Sequence, residues 1–185
     1  MSKKVQLIII IICFFIFIAI SIILYNNIIN NTDIYNDAYN SKKLTPAKDF
    51  TVYDINNKPV KLSELRDKPI VINFWATWCG YCLEEMPYFN SAYIKEMDNV
   101  HFMMINATDG IRETVDIANN FIQKKNYKFD VYFDLDLSTV NSYEIYGYPV
   151  TIFIDKQGNI VKTHKGMISE ETLLNNIKII KQNNI

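Results

Sequence analysis

Cys79 and Cys82, separated by Gly80 and Tyr81, follow the apolar run Ile70-Val71-Ile72-Asn73-Phe74-Trp75 and the turn Ala76-Thr77-Trp78. A continuous apolar run predicts a central strand buried on both faces. Gly80 to Met97 predicts a helix, kinked by Pro87. Cys79 then lies where a helix offers free backbone N–H groups and the positive end of its dipole. That seat favours thiolate and lowers a cysteine below its free value of about 8.5. One helical turn brings Cys82 near enough to close a small ring with Cys79. The pattern reads as dithiol exchange, in which Cys79 attacks a partner disulfide and Cys82 resolves the mixed disulfide. A purely structural bridge would staple only one turn. Half a zinc site would need two more ligands, and Cys13, His101 and His164 supply no metal-spaced pair. No metal and no cofactor are expected beyond the redox-active pair itself.

A second chemical landmark is Gly147-Tyr148-Pro149-Val150, which leads into the apolar run Val150–Ile154. Proline is tolerated at the first residue of a strand. A cis Tyr148–Pro149 bond would press this turn against the cysteines and free the Tyr148 backbone for an extended substrate; a trans proline at a strand edge is the plainer alternative.

The remaining elements must position these two turns. Asp49–Asp54 alternates like a strand, Asn56-Asn57 marks a turn, and Val60 with Leu62 marks the returning strand. Ser63 suits the cap of a short helical turn. Val100–Ile105 predicts another buried strand. Ile111, Val115, Ala118 and Ile122 share one helical face, with Thr108 or Asp109 as cap. Phe129–Phe133 reads as a strand and Asp136 as the cap of a helix through Tyr143. Val150–Ile154 and Ile160–Thr163 flank Asp155-Lys156-Gln157-Gly158, a hairpin turn, and Ser169 caps a last helix. Strands alternating with helices, then a hairpin and a helix, predict an α/β domain with a mixed sheet covered on both faces.

Ahead of that domain, Leu7–Leu24 is apolar but for Ser21. A helix of that length covers about 27 Å, close to the roughly 30 Å hydrocarbon core of a bilayer. Lys3 and Lys4 precede it, so the positive-inside rule keeps residues 1–6 cytoplasmic and sends the rest across. The expectation is a single-pass anchor over 7–24, a flexible linker over 25–48 and an extracytoplasmic domain over 49–185. A cleaved signal peptide is disfavoured because Ala19-Ile20-Ser21 lies inside the apolar run.

Trp78-Cys79-Gly80-Tyr81-Cys82 and Gly147-Tyr148-Pro149-Val150-Thr151 resemble the thioredoxin superfamily. Asp49-Phe50-x-Val52-x-Asp54, Leu62-Ser63-Glu64-Leu65, Asn73-Phe74-Trp75-Ala76-Thr77-Trp78-Cys79 and Cys82-x-x-Glu85-Met86-Pro87 narrow the resemblance to the membrane-anchored TlpA/ResA-type thiol–disulfide oxidoreductases. The resemblance implies a thioredoxin-like fold with an N-terminal β-hairpin extension and a cis Pro149. It also implies reduction of disulfides in extracytoplasmic proteins, such as apocytochrome c or sporulation proteins, with electrons from a CcdA/DsbD-like membrane partner. The buried Asp of thioredoxin is replaced here by Asn73, which is no base; Glu85, three residues after Cys82 on the same helix face, is the substitute proton carrier. Gly80 and Tyr81 tune the redox couple, Tyr81 occupying a position that is often Pro. Trp78 is expected in an apolar docking rim and Trp75 in the core, while Tyr148 narrows the range of partners.

Composition limits the alternatives. The net charge of −1 lacks the basic excess of a dedicated nucleic-acid binder. Lys3, Lys4, Lys42, Lys43 and Lys48 precede the domain against Asp33 and Asp37, which leaves the domain mildly acidic. A thiol peroxidase of related fold would want Thr three residues before its reactive cysteine, where this chain has Ala76. A disulfide oxidase and a non-catalytic docking module remain as further alternatives, the latter disfavoured by the presence of both cysteines.

Overall fold

The computed structural model describes residues 6, 12–23, 25 and 44–182. The chain divides into two compact units, Met1–Lys43 and Leu44–Ile185. In the first, residues 12–23 are helical. Among the described residues no helix is long and apolar enough to cross a membrane. The expected span over 7–24, the tip over 1–6 and most of the 25–48 linker involve residues outside those described.

The second unit holds an eight-stranded mixed sheet. Its strands are β1 (Thr45–Pro46), β2 (Thr51–Tyr53), β3 (Pro59–Lys61), β4 (Ile70–Trp75), β5 (His101–Ala107), β6 (Val131–Asp134), β7 (Val150–Ile154) and β8 (Asn159–Lys165). The helices are α1 (Gly80–Glu96), α2 (Val115–Lys125), α3 (Ser138–Ser142) and α4 (Glu170–Gln182), with a 3-10 turn over Leu62–Leu65. The spatial order is β1-β8-β7-β4-β5-β6-β2-β3. Strands β4, β5 and β6 run parallel through the crossover helices α1 and α2, and the remaining pairs are antiparallel.

Strand β4 is central and all six of its residues are buried. Its side chains alternate between faces. Val71 and Trp75 join Phe89, Phe102, Met104, Phe153 and Ile177 in one core cluster. Ile72 and Phe74 join Leu62, Met103, Ile105, Val140 and Ile152 in the other. The period of two therefore turns Asn73 toward the Val71 and Trp75 face, which α1 covers. The β2–β3 hairpin pairs Val52 with Val60 and extends the sheet beyond β6. Gly158, at φ +84, closes the β7–β8 turn as expected.

Several boundaries differ from the expectations. The domain starts before residue 49: Thr45 and Pro46 pair with Ile160 and Asn159, and Ala47 is buried. Helix α2 begins at Val115 with Thr114 as its cap, and Ile111 is 90% exposed. Asp109 instead accepts the amides of Ile111, Arg112 and Glu113 at 2.7–2.9 Å, closing a turn ahead of the helix. The β6 strand is shifted to Val131–Asp134. Asp136 takes the Ser138 amide, whereas buried Asp134 takes those of Thr139 and Val140. Ser63 gives its amide and hydroxyl to Asp49, both at 2.9 Å, tying the 3-10 turn to the hairpin's entry.

Phe153 is wholly buried where β7 meets α4's side of the sheet. Phe153→Ala is expected to destabilise the domain by about 3–5 kcal/mol. Urea unfolding followed by tryptophan fluorescence measures this, since Trp75 and Trp78 are the chain's two tryptophans; a loss below about 1 kcal/mol would contradict the packing described.

Candidate active site

The chain leaves β4 at Trp75, turns through Ala76–Trp78 and enters α1. The Cys79 amide donates to the Ala76 carbonyl at 3.1 Å, which fixes the turn. Cys79 is the N-cap of α1 in extended conformation, and its Sγ accepts the Cys82 amide at 3.2 Å. The sulfur thus occupies the place that an oxygen fills in an ordinary cap, facing an unpaired helical N–H. Cys79 and Cys82 form a disulfide with Cα atoms 5.3 Å apart. The two are unequal: Cys79 is 7% exposed and Cys82 is 0% exposed. Both belong to the buried core, Cys82 the more completely. A Cβ added at Gly80 would meet nothing within 4 Å, so packing does not demand glycine there.

The same helix carries a buried carboxyl. Glu85 is 0% exposed, one helical turn beyond Cys82. One of its oxygens accepts from Asn73 Nδ2 and the other from the Ile168 amide, both at 2.7 Å. Asn73 also donates to Thr151 Oγ1 at 3.2 Å. Burial pushes the Glu85 pKa up to about 7, and the two hydrogen bonds restrain the rise. The ordinary solvated helix glutamate is excluded. Asn73 cannot carry a proton, but it orients the group that can.

The opposite rim is aromatic. The Tyr148–Pro149 bond is cis, as expected, and Pro149 is buried with its carbonyl accepting the Gly166 amide at 2.9 Å. Among the described residues Tyr148 makes no backbone hydrogen bond outside the sheet ladders. Its ring meets Trp78 edge-on at 5.7 Å between centroids. Trp78 is 41% exposed and Tyr81 66% exposed, so both stand at the surface beside Cys79. Trp75 is buried and packs on Phe121 at 6.1 Å.

The sequence reading missed a third wall. Glu113, fully buried, accepts from the Thr77 amide at 3.0 Å, the Thr77 hydroxyl at 2.6 Å and Asn106 Nδ2 at 2.7 Å. It straps the loop after β5 onto the turn that carries Cys79. Next to it, the Arg112 guanidinium lies over the Trp78 ring, 4.1 Å from its centroid. The available signal was Asp109-Gly110, a turn pair that argues against helix there; Gly110 indeed has φ +74.

This geometry has known counterparts. The AhpC/TSA family model matches residues 44–163. The thiol–disulfide oxidoreductase ResA of Bacillus subtilis (strain 168) is 29% identical over 153 residues, covering 80% of this chain and 83% of that protein. ResA of Bacillus anthracis is 33% identical over 136 residues, covering 72% of this chain and 76% of that protein. Among solved structures, a putative thiol:disulfide interchange protein DsbE from Chlorobium tepidum superposes with a TM-score of 0.68 at 26% identity, covering 76% of this chain and 98% of that one. StoA from Bacillus subtilis shares the fold, with a TM-score of 0.61 at 23% identity over 72% of this chain and 98% of its own. A thioredoxin-like sheet, a disulfide seated at a helix N-terminus and these matches lead to one conclusion: the chain belongs to the AhpC/TSA family and, within it, to the ResA-type thiol–disulfide oxidoreductases.

Proposed function

We propose that this protein is a membrane-tethered reductase of disulfides in extracytoplasmic partner proteins. The observation that carries the reading is the inequality of the two cysteines: Cys79, at the α1 N-terminus, keeps 7% of its surface exposed, and Cys82, one turn before Glu85, keeps none. In the reduced protein the Cys79 thiolate attacks one sulfur of a partner disulfide. A mixed disulfide forms and the partner's other sulfur leaves as thiolate. The Cys82 thiol gives its proton to the Glu85 carboxylate and attacks Cys79 Sγ, releasing the second partner thiolate. Two electrons have then passed to the partner, and the Cys79–Cys82 disulfide remains. The cis Pro149 turn, Trp78, Tyr81 and Tyr148 receive the partner's polypeptide beside Cys79, with Gly80 and Asn73 holding the couple's surroundings.

The apolar run at 7–24, preceded by Lys3 and Lys4, supports a single-pass anchor with the domain on the extracytoplasmic face. A reductase in that compartment must be recharged across the membrane. A CcdA/DsbD-like dithiol donor fits that requirement, and apocytochrome c or sporulation proteins are fitting substrates by family likeness. The peroxidase reading is weaker because buried Ala76, three residues before Cys79, offers no hydroxyl.

With a dithiol donor present, the wild type is expected to reduce insulin disulfides and Cys79→Ala to give no rate above background; equal rates would contradict the function proposed. Glu85 adds a pH signature. Its carboxyl is protonated below about 7 in the folded protein, so resolution should accelerate as pH rises through that value. Glu85→Gln should flatten the profile and slow resolution at pH 8 by about 100-fold, read from single-turnover kinetics. Stability moves the other way. Between the ordinary value of 4.5 and about 7, the unfolded chain loses this proton first. Stability therefore falls with rising pH, by up to about 1.4 kcal/mol per unit, and levels off above. Urea midpoints that show the same slope in wild type and Glu85→Gln would contradict the assignment.

A further inference from the structure

The loop between β5 and α2 does more than support the active-site turn. Glu113 anchors it to Thr77, two residues from Cys79. That anchor delivers Arg112 to the face of Trp78, the residue immediately before Cys79. Arg112 is exposed, and neither acidic neighbour on its loop closes an ion pair with it. Asp109 spends one oxygen on three backbone amides, and Glu113 is turned inward onto Thr77 and Asn106. Asp109 is held below the ordinary carboxylate range by the Glu113 and Ile111 amides first and by Arg112 last, so it feels the cation without closing an ion pair. Among the described residues the Arg112 side chain makes no salt bridge and no side-chain hydrogen bond; the Trp78 ring is what it rests on.

Stacking uses the face of a guanidinium and leaves its N–H fork at the edge, the geometry that grips a carboxylate through two parallel hydrogen bonds. The surroundings are open and expose much apolar surface, with the carboxylates of Asp109 and Asp134 acting on Tyr148 behind it. Trp78, Tyr81, Ile111, Leu135, Tyr146 and Met167 are all exposed. They lie on the segments where β4, β5, β6 and β8 end and β7 begins, the end of the sheet that carries Cys79. A cation that closes no ion pair, set in such a rim, leaves its fork open to a partner segment that brings a carboxylate with it.

We infer that Arg112, held on Trp78 by the Glu113 strap, selects partner polypeptides that carry Asp or Glu beside the disulfide cysteine. This rests on the exchange reaction proposed above and specifies its substrate class.

The test uses the full chain in detergent with a dithiol donor and two disulfide-closed peptides that differ only by Glu or Gln next to one cysteine. At low salt the wild type is expected to favour the Glu peptide in kcat/KM by about fivefold, through KM, a size suited to a partly exposed charge pair. The preference should shrink in about 0.5 M salt. It should fall to near unity in Arg112→Gln, survive in part in Arg112→Lys, and invert in Arg112→Glu, which should instead favour a Lys peptide. Equal use of the two peptides by the wild type, or an unchanged preference in Arg112→Gln, would overturn the inference while leaving the reductase reading intact. Failure of the wild type to reduce either peptide or insulin would remove both. A loop that Arg112 merely props would alter both peptides alike, leaving the ratio fixed, and that result also overturns the inference.

Discussion

The site depends on one junction, where a strand sealed on both faces runs straight into a helix. Because β4 is buried along its whole length, the residue that begins α1 cannot wander. Its side chain must cap the helix, and in this chain that residue is Cys79. A sulfur in the cap position meets a backbone N–H that no helical carbonyl can satisfy. The next sulfur on the same side of the helix, one turn later, lies under the first and away from water. The difference in burial between the two cysteines follows from helix geometry and needs no further device.

The same junction explains the buried carboxyl. Alternation along β4 aims Asn73 at the face that α1 covers, and helical spacing aims Glu85 back at it from Cys82's side. A lone carboxylate there would be strongly disfavoured by desolvation. Two N–H donors, from Asn73 and Ile168, make it tolerable without making it fully ionised at neutral pH. The result is a carboxyl whose pKa burial raises to about 7, connected to β4, α1 and the segment that leads into α4.

What the sequence disclosed was local. The apolar run of β4, the Cys-x-x-Cys at the head of α1, the Gly158 turn and the Ser169 cap each carry their signal within a few residues. Trp78 at the rim and Trp75 in the core were also legible from their places beside and before the turn. The hidden parts were made by distance along the chain. Glu85 owes its burial partly to Ile168, 83 residues on, and Glu113 meets Thr77 across 36 residues. A helical period through Ile111 masked the turn that Asp109 closes, because an i, i+4 match does not reveal that its first member faces water. The start of α3 shows a similar limit: Leu137 stands at the N-cap without a side-chain bond, and the amides of Thr139 and Val140 are taken by buried Asp134 from the end of β6 rather than by Asp136.

The central claim is that Cys79 is the sulfur that meets the partner and Cys82 the one that cannot. Competitive alkylation of the reduced protein, with each cysteine quantified by peptide mass mapping, tests it most directly. Cys79 should be modified at least about tenfold faster than Cys82, given a less buried cysteine at a helix N-terminus against a fully buried one. Equal rates, or faster modification of Cys82, would contradict the account.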